Sequence, residues 1–115
     1  MNLKLSKNQL KRYSRQIVLK NIGILGQKKI IQSKVLIVGM GGLGCPAAEL
    51  LTRAGVGNIG LIDFDKVDLS NIHRQSLYDT SDLNKSKVLS AKIKLKKINP
   101  KTKFDCYNLK LNHKN

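Results

Sequence analysis

The feature that most constrains this chain is an apolar strand signal that runs directly into a glycine loop. Lys34–Gly39 is a continuous apolar, largely β-branched run ending in glycine, which predicts a strand buried on both faces of a parallel sheet. Gly39–Gly44 then fits the pattern G-x-G-x-x-G, and a helix is predicted over residues 45–54. Pro46 lies in its first turn and Gly55 just past its end, where each is favoured. Together these signals predict a strand, a tight turn and a helix.

The following segments continue the same alternation. A second strand is predicted over residues 58–64, followed by a polar loop over residues 65–82. Either Asn84 or Ser86 is expected to cap the next helix. That helix ends at Asn99, because the proline after it disfavours helical backbone in the residue before it.

A third strand over residues 103–109 completes the pattern strand–helix–strand–helix–strand. This order predicts an α/β fold with a Rossmann-like doubly wound parallel sheet, of which residues 34–115 form the first βαβαβ half.

Residues 1–33 are predicted to form an N-terminal helical segment that makes dimer or partner contacts. Ser6 and Gln9 match a capping box and predict a helix over residues 7–19. A second, shorter helix is predicted over residues 27–32.

The glycine loop carries the first functional signal. Glycines let backbone N–H groups approach an anion, and a helix N-terminus adds partial positive charge. The predicted phosphate contacts are therefore Gly39, Gly41, Gly42 and Gly44, with Asp63 placed to accept hydrogen bonds from ribose hydroxyls. Close strand–helix packing is the alternative explanation of the glycines. An NAD- or FAD-binding redox domain explains the same residues equally well.

The segment Ser70–Gln75 separates these alternatives. It contains Asn71 and Arg74, a pair that a redox domain does not need. An enzyme that splits ATP between its α- and β-phosphates does need such a pair, because charge develops on the departing pyrophosphate and a guanidinium holds its oxygens bidentately. Asn71 is expected to orient the α-phosphate or the incoming carboxylate, and Lys87 to add a second cation. A solvated charge on a lysine-rich helix is the competing explanation of Lys87.

Four other residues have weaker signals. Cys45 lies at a predicted helix N-terminus, where a thiol pKa can fall, but packing is the favoured explanation. Cys106 is predicted to lie in the core. His73 is interpreted as a neighbour of the site rather than a catalyst. Asp65 either binds Mg²⁺ indirectly or caps the loop.

The net charge alone does not establish a nucleic-acid partner. The chain has 22 basic and 7 acidic residues, a net charge of +15 that is typical of proteins with anionic partners. The lysines are scattered, however, and two Phe and three Tyr offer few stacking platforms. We expect no nucleic-acid and no membrane partner. Two cysteines without metal spacing suit a reducing compartment, so a cytoplasmic location is expected.

Four motifs follow one another between about Leu10 and Leu109. They are Arg12–Ile17 (R-Y-x-R-Q), the glycine loop Val38–Gly44, Ala54–Gly57 with Asp63–Asp65 and Ser70–Gln75, and Lys85–Lys87 with Ala91. In this order and spacing they resemble the ThiF/MoeB/HesA family, bacterial relatives of the ubiquitin-activating enzymes. The fourth motif departs slightly from the family pattern, since Lys85 stands where Gly or Ala is common.

The resemblance implies an ATP-dependent adenylyltransferase. Such an enzyme adenylates the C-terminal glycine of a small ubiquitin-like sulfur-carrier protein ending in Gly-Gly, with Mg²⁺ assisting, as in molybdopterin or thiamine biosynthesis. The residues implied to contact ATP come from four nearby segments: Gly39, Gly41, Gly42, Gly44, Asp63, Asp65, Ser70, Asn71, Arg74 and Lys87. Asn71, Arg74 and Lys87 are implied to be catalytic through triphosphate and transition-state contacts. Arg15 is implied to act in trans across a homodimer.

Three parts of the family pattern are not found in this sequence. They are the Mg²⁺-binding Asp, expected beyond Asn115, the crossover loop with its Cys, and the C-x-x-C pairs that bind structural zinc. We therefore expect no metal ligand within the chain, which would be truncated, would carry only the ATP-binding part and would be inactive alone. Two alternatives stay open: an NAD- or FAD-binding Rossmann module, and a non-catalytic fragment that binds a partner through its N-terminal helix.

Overall fold

Three parallel strands form the sheet of the computed structural model, which describes residues 3–115. β1 covers Lys34–Val38, β2 covers Asn58–Ile62 and β3 covers Lys103–Tyr107. The strands lie in the order β1-β2-β3, with Lys34 opposite Asn58 and Asn58 opposite Lys103. The predicted α/β class and parallel Rossmann-like half-sheet are confirmed.

Within residues 3–115, five α-helices accompany the sheet, and two of them connect its strands. Their bounds are α1 Lys7–Arg12, α2 Ser14–Ile17, α3 Gly23–Gln32, α4 Gly44–Ala54 and α5 Lys87–Ile98, with 3₁₀ turns at Leu69–Asn71 and Thr80–Asp82. α4 packs on β1, α5 packs on β3, and the two helices contact each other, so they cover the same face. The core between them and the sheet includes Ile37, Ile59, Leu61, Ala48 and Leu95. Within residues 3–115, each helix is too short or too polar to cross a bilayer.

The prediction that β1 is buried on both faces was wrong. Ile37 faces the core, but Leu36 and Val38 are 53% and 57% exposed. Neighbouring side chains on a strand point to opposite faces, and both crossover helices lie on the Ile37 side. On the other face, Leu109 and Leu111 of the C-terminal segment line a cleft together with Leu36.

The N-terminal helix predicted over residues 7–19 is instead two helices. The capping box is present: Gln9 N donates to Ser6 Oγ at 3.1 Å, and Ser6 N donates to Gln9 Oε1 at 2.9 Å. The helix breaks at Tyr13, whose φ is −102° and ψ is 13°. This break turns the buried ring inward, where its hydroxyl accepts a hydrogen bond from Asn99 Nδ2 at 2.8 Å. A long-range contact therefore interrupts a locally helical pattern.

Several element boundaries also differ from the prediction. α3 begins at Gly23, four residues before the expected start, and β2 and β3 each end two residues early. Ser86 rather than Asn84 caps α5, since Ser86 Oγ accepts from Leu89 N at 3.5 Å. Asn84 instead takes a left-handed φ of 65° in the preceding turn.

A buried polar network docks the N-terminal segment onto the C-terminal end of α4. Gln16 Nε2 donates to Gln27 Oε1 at 2.6 Å, and Gln27 Nε2 donates to Ala54 O at 3.0 Å. The carboxamide of Gln27 is thus paired at both ends, as buried polar groups usually are. Because Gly44 begins α4 and Ala54 ends it, this network lies roughly 15 Å from the glycine loop at about 1.5 Å per residue.

An ion-pair cluster links the second 3₁₀ turn to α5. Lys94 Nζ donates to Asp79 and lies 3.5 Å from Asp82 Oδ2. The hydrogen bond from Lys94, followed by those from Ser81, lowers the pKa of Asp79 below its usual 3.8. The same bond raises the pKa of Lys94 above its usual 10.5. Both shifts favour the charged forms in the folded state, so the cluster stabilises the fold near neutral pH.

We expect Lys94→Met to flatten the dependence of unfolding free energy on pH. The stability contributed by Asp79 is present above the unfolded pKa of 3.8 and is lost as pH falls through the lower folded pKa. The stability contributed by Lys94 is present below 10.5 and is lost as pH rises through the higher folded pKa. Denaturant unfolding across the acidic and alkaline ranges measures both limbs. Lys92→Met, on the same helix but outside this cluster, is the control, and an unchanged profile in Lys94→Met would contradict the prediction.

Candidate nucleotide site

Gly39 and Gly44 shape the loop between β1 and α4. Gly39 has a φ of 93°, in the left-handed region that favours glycine, and its N–H donates to Ile62 O at 2.8 Å. A Cβ on Gly44 would lie 1.9 Å from Gly39 O. Only glycine therefore lets α4 begin so close to the end of β1, and both positions are explained by the turn and its packing.

Gly41 and Gly42 have open space around them. A Cβ on Gly41 would lie 3.5 Å from Gln75 Nε2, and a Cβ on Gly42 would lie 3.9 Å from Arg74 Cδ. Both are ordinary contact distances, so the fold itself does not require glycine at these positions. Their missing side chains instead leave the backbone accessible.

The backbone N–H groups of this open stretch are available as donors. Within residues 3–115, the N–H groups of Gly41, Gly42 and Leu43 donate to no acceptor, whereas Met40 N donates to Asp63 Oδ2 at 2.7 Å. They precede the 11-residue helix α4, and a cleft of about 500 Å³ opens beside them. Unpaired N–H groups and a helix N-terminus together fit a phosphate group. A Cβ on Gly41 or Gly42 would fill this cradle.

Asp63 follows β2 and braces the glycine loop. Its Oδ2 accepts from Met40 N, and its Oδ1 accepts from Asp65 N at 2.8 Å. An ionised carboxylate offers about four acceptor positions, so each oxygen retains one for a ribose hydroxyl. A second cleft, of about 280 Å³, is lined in part by Asp63 and Phe64. The sequence predicted a ribose contact for Asp63 but did not reveal that Asp63 holds the glycine loop.

The first 3₁₀ turn places Arg74 and Asn71 next to the glycine loop. Arg74 Nη2 donates to Asn71 Oδ1 at 3.0 Å, and Arg74 Nη1 donates to Ser70 O at 3.4 Å. The Arg74 side chain is exposed and lies beside Gly42. His73 is also exposed, with Nε2 3.5 Å from Arg74 Nη1. The structure thus brings the predicted guanidinium and the predicted phosphate cradle together.

Ser70 has a different local role. Its N–H donates to Asp68 Oδ2 at 3.0 Å, and its hydroxyl donates to the same oxygen. These hydrogen bonds lower the pKa of Asp68. In this conformation the Ser70 hydroxyl is committed to the turn that carries Asn71.

Lys87 is only 4% exposed, which contradicts its interpretation as a solvated surface charge. Its Nζ lies 3.9 Å from Asp65 Oδ2, and its backbone N–H donates to Asp65 O at 3.1 Å. Lysines are rarely buried without a partner. The start of α5 therefore holds a desolvated cation against the loop that follows Asp63.

Cys45 is a core residue. Burial raises the pKa of its thiol and outweighs the opposing charge of Lys87. Its Sγ lies 3.6 Å from Met40 O, which also accepts a hydrogen bond from Tyr78 Oη at 2.7 Å. Burial likewise raises the pKa of Tyr78. Cys106 is half-buried and its Sγ lies 3.4 Å from Val88 O.

Arg15 does not share this site within one chain. It is exposed on α2, and its neighbour Gln16 donates to Ala54 O at 3.0 Å, at the opposite end of α4 from the glycine loop. A contribution of Arg15 to the glycine loop therefore needs a second copy of the chain.

Two residues that contact the loop were given no role from the sequence. The Tyr78 hydroxyl donates a hydrogen bond to Met40 O, and Gln75 lies beside Gly41. Gln75 belongs to the quoted motif, and Tyr78 is the only tyrosine in the loop over residues 65–82, so both had a signal. Within residues 3–115, no cluster of three or more His, Cys, Asp or Glu side chains is arranged to hold a metal.

Sequence comparison identifies relatives of this chain. A model of the ThiF family matches residues 13–115. The molybdopterin-synthase adenylyltransferase of Haemophilus influenzae is 51% identical over 109 residues, which are 95% of this chain and 45% of that protein. The adenylyltransferase and sulfurtransferase MOCS3 of Drosophila virilis is 49% identical over 111 residues, which are 96% of this chain and 25% of that protein.

Structural comparison agrees. The crystal structure of E. coli MccB with ATP matches with a TM-score of 0.80 and 33% identity, over 88% of this chain and 32% of that one. The chain thus spans between a quarter and about half of the relatives it matches. Because the family match extends over almost all of the chain and the fold agrees, this chain belongs to the ThiF family.

Proposed function

We propose that this chain is the ATP-binding part of an adenylyltransferase of the ubiquitin-like-modifier-activating type. The observation that carries the proposal is the cluster of unpaired N–H groups at Gly41–Leu43 with the Arg74 side chain beside it. Backbone donors and a guanidinium are suited to a polyphosphate. The names of the relatives and the ATP in the MccB structure support the same nucleotide.

The proposed reaction is attack of a carboxylate oxygen on the α-phosphorus of ATP. The new O–P bond forms as the bond between the α-phosphorus and the bridging oxygen breaks, and pyrophosphate leaves with the electron pair. Arg74 stabilises the charge that develops on pyrophosphate, and Asn71 holds the guanidinium in place through its Oδ1. Lys87 adds a second cation, which Asp65 holds near the site.

The proposed carboxylate is the C-terminal glycine of a small ubiquitin-like sulfur-carrier protein. The support is the name of the H. influenzae relative, a molybdopterin-synthase adenylyltransferase. Carriers of a thiamine, cysteine or siderophore pathway are the other candidates from the family resemblance. We further propose a homodimer in which Arg15 reaches the partner's site, and a cytoplasmic location. Mg²⁺ and zinc follow from the resemblance alone, and the cations that this chain itself supplies are Arg74 and Lys87.

Titration with nucleotides tests the nucleotide assignment. We expect ATP to bind at least about tenfold more tightly than NAD or FAD, because an Arg–Asn pair beside the loop favours a triphosphate. Isothermal titration calorimetry gives the three affinities. A preference for NAD or FAD would establish the redox alternative. Absence of all binding, with a stable dimer present, would establish the interaction fragment.

A further inference from the structure

Gln75 combines burial with an unpaired polar atom next to the glycine loop. Its side chain is 4% exposed, and among residues 3–115 its Oε1 is a buried acceptor without a hydrogen-bond partner. Gln27 is also buried, but its carboxamide accepts from Gln16 and donates to Ala54 O. The side-chain oxygen of Gln27 is therefore hydrogen-bonded at one end of α4, whereas that of Gln75 is unpaired near the other end.

Among the described residues, the Oε1 atom of Gln75 makes no hydrogen bond that would stabilise the unliganded fold. A buried acceptor without a donor is destabilising, whereas an apolar side chain of the same length fills the space without that penalty. Methionine has nearly the same length and volume as glutamine. A residue chosen only for packing at this position would thus be apolar.

The other end of the carboxamide is directed at the phosphate cradle. Gln75 Nε2 lies 3.5 Å from the position that a Cβ on Gly41 would occupy. The backbone holds it there, because Gln75 N donates to Asn71 O at 2.9 Å and Tyr78 N donates to Gln75 O at 3.1 Å. The same segment therefore holds Gln75 beside Gly41 and Arg74 beside Gly42, the two glycines whose N–H groups have no acceptor within residues 3–115.

We propose that Gln75 is a nucleotide-binding residue whose Nε2 donates a hydrogen bond to the phosphate group held over Gly41–Leu43. This inference rests on the proposed function, since it assumes a phosphate in the cradle. A neutral amide adds a directed donor without adding charge, so it fixes the position of the phosphate rather than attracting it from a distance. In this proposal, the unpaired Oε1 is the energetic cost of holding the Nε2 donor beside the glycine loop.

Gln75→Met tests the proposal on the full chain through two separate measurements. We expect the affinity for ATP to fall about 10- to 100-fold, the range expected for one hydrogen bond to a charged group. We expect the thermal unfolding midpoint to stay equal or to rise, because the unpaired acceptor is removed. Gln27→Met is the matched control. It should lower the unfolding midpoint, because it removes the buried hydrogen bonds that join Gln27 to Gln16 and to Ala54 O, and the folded protein should keep its ATP affinity.

The outcomes separate this proposal from the proposed function. If the wild-type chain binds ATP and Gln75→Met binds it equally well, the role of Gln75 is refuted while the nucleotide site stands. If Gln75→Met lowers the unfolding midpoint as Gln27→Met does, Gln75 is a structural residue and the proposal fails. If the wild-type chain binds no nucleotide, both the proposed function and the role of Gln75 are refuted.

Discussion

Gly41→Val is expected to abolish ATP binding while the protein stays folded. The reason lies in the surroundings of Gly41, where a Cβ would meet nothing closer than Gln75 Nε2 at 3.5 Å. The protein therefore has room for the first side-chain atom. The added methyl groups of valine would occupy the volume in front of the free N–H groups, where a phosphate must approach within about 3 Å. Loss of several charge-assisted hydrogen bonds at once should reduce the affinity at least about a thousandfold.

Calorimetric titration with ATP measures this loss, and the thermal unfolding midpoint serves as the control for folding. Gly44→Ala provides the contrast, because its Cβ would lie 1.9 Å from Gly39 O and should lower the unfolding midpoint. If Gly41→Val bound ATP with unchanged affinity, the loop would serve only to pack α4 against β1.

Arg74→Ala is expected to lower kcat about 10²- to 10³-fold with little change in the KM for ATP. The guanidinium should interact most strongly when charge has built up on the leaving pyrophosphate, so its removal acts mainly on the transition state. Its contribution to stability should be small, because the side chain is exposed and its partners are Asn71 Oδ1 and Ser70 O within the same turn. The variant should therefore remain folded.

ATP–pyrophosphate exchange in the presence of a carrier protein measures this effect, with the chain joined to the part of its H. influenzae relative that it does not cover. Arg53→Ala is the matched control, since Arg53 is an exposed arginine at the far end of α4 whose ion pair with Glu49 spans 3.4 Å. It should leave both constants unchanged. A higher KM with an unchanged kcat in Arg74→Ala would instead make Arg74 a ground-state contact.

The sequence signals that indicated which candidate residues would lie close together are local or follow from strand direction. The glycine loop is recognisable from its glycine content, and Asp63 and Arg74 follow the next strand along the chain. Parallel strands bring their carboxyl ends to the same edge, so residues after β1 and residues after β2 had to meet. The position of Arg74 beside Gly42 is an example of this proximity. Which atoms pair, such as Asp63 with Met40 N, could not be predicted from residue order.

The sequence by itself determined the order of elements, the turn at Gly39 and the end of α5 just before Asn99, because each depends on backbone preferences of neighbouring residues. The tertiary structure decided the break at Tyr13, the exposure of Leu36, the burial of Lys87 and the unpaired oxygen of Gln75. Each of these depends on groups far away along the chain. Burial is set by which elements cover a face, and a hydrogen bond forms only where folding brings a partner within reach.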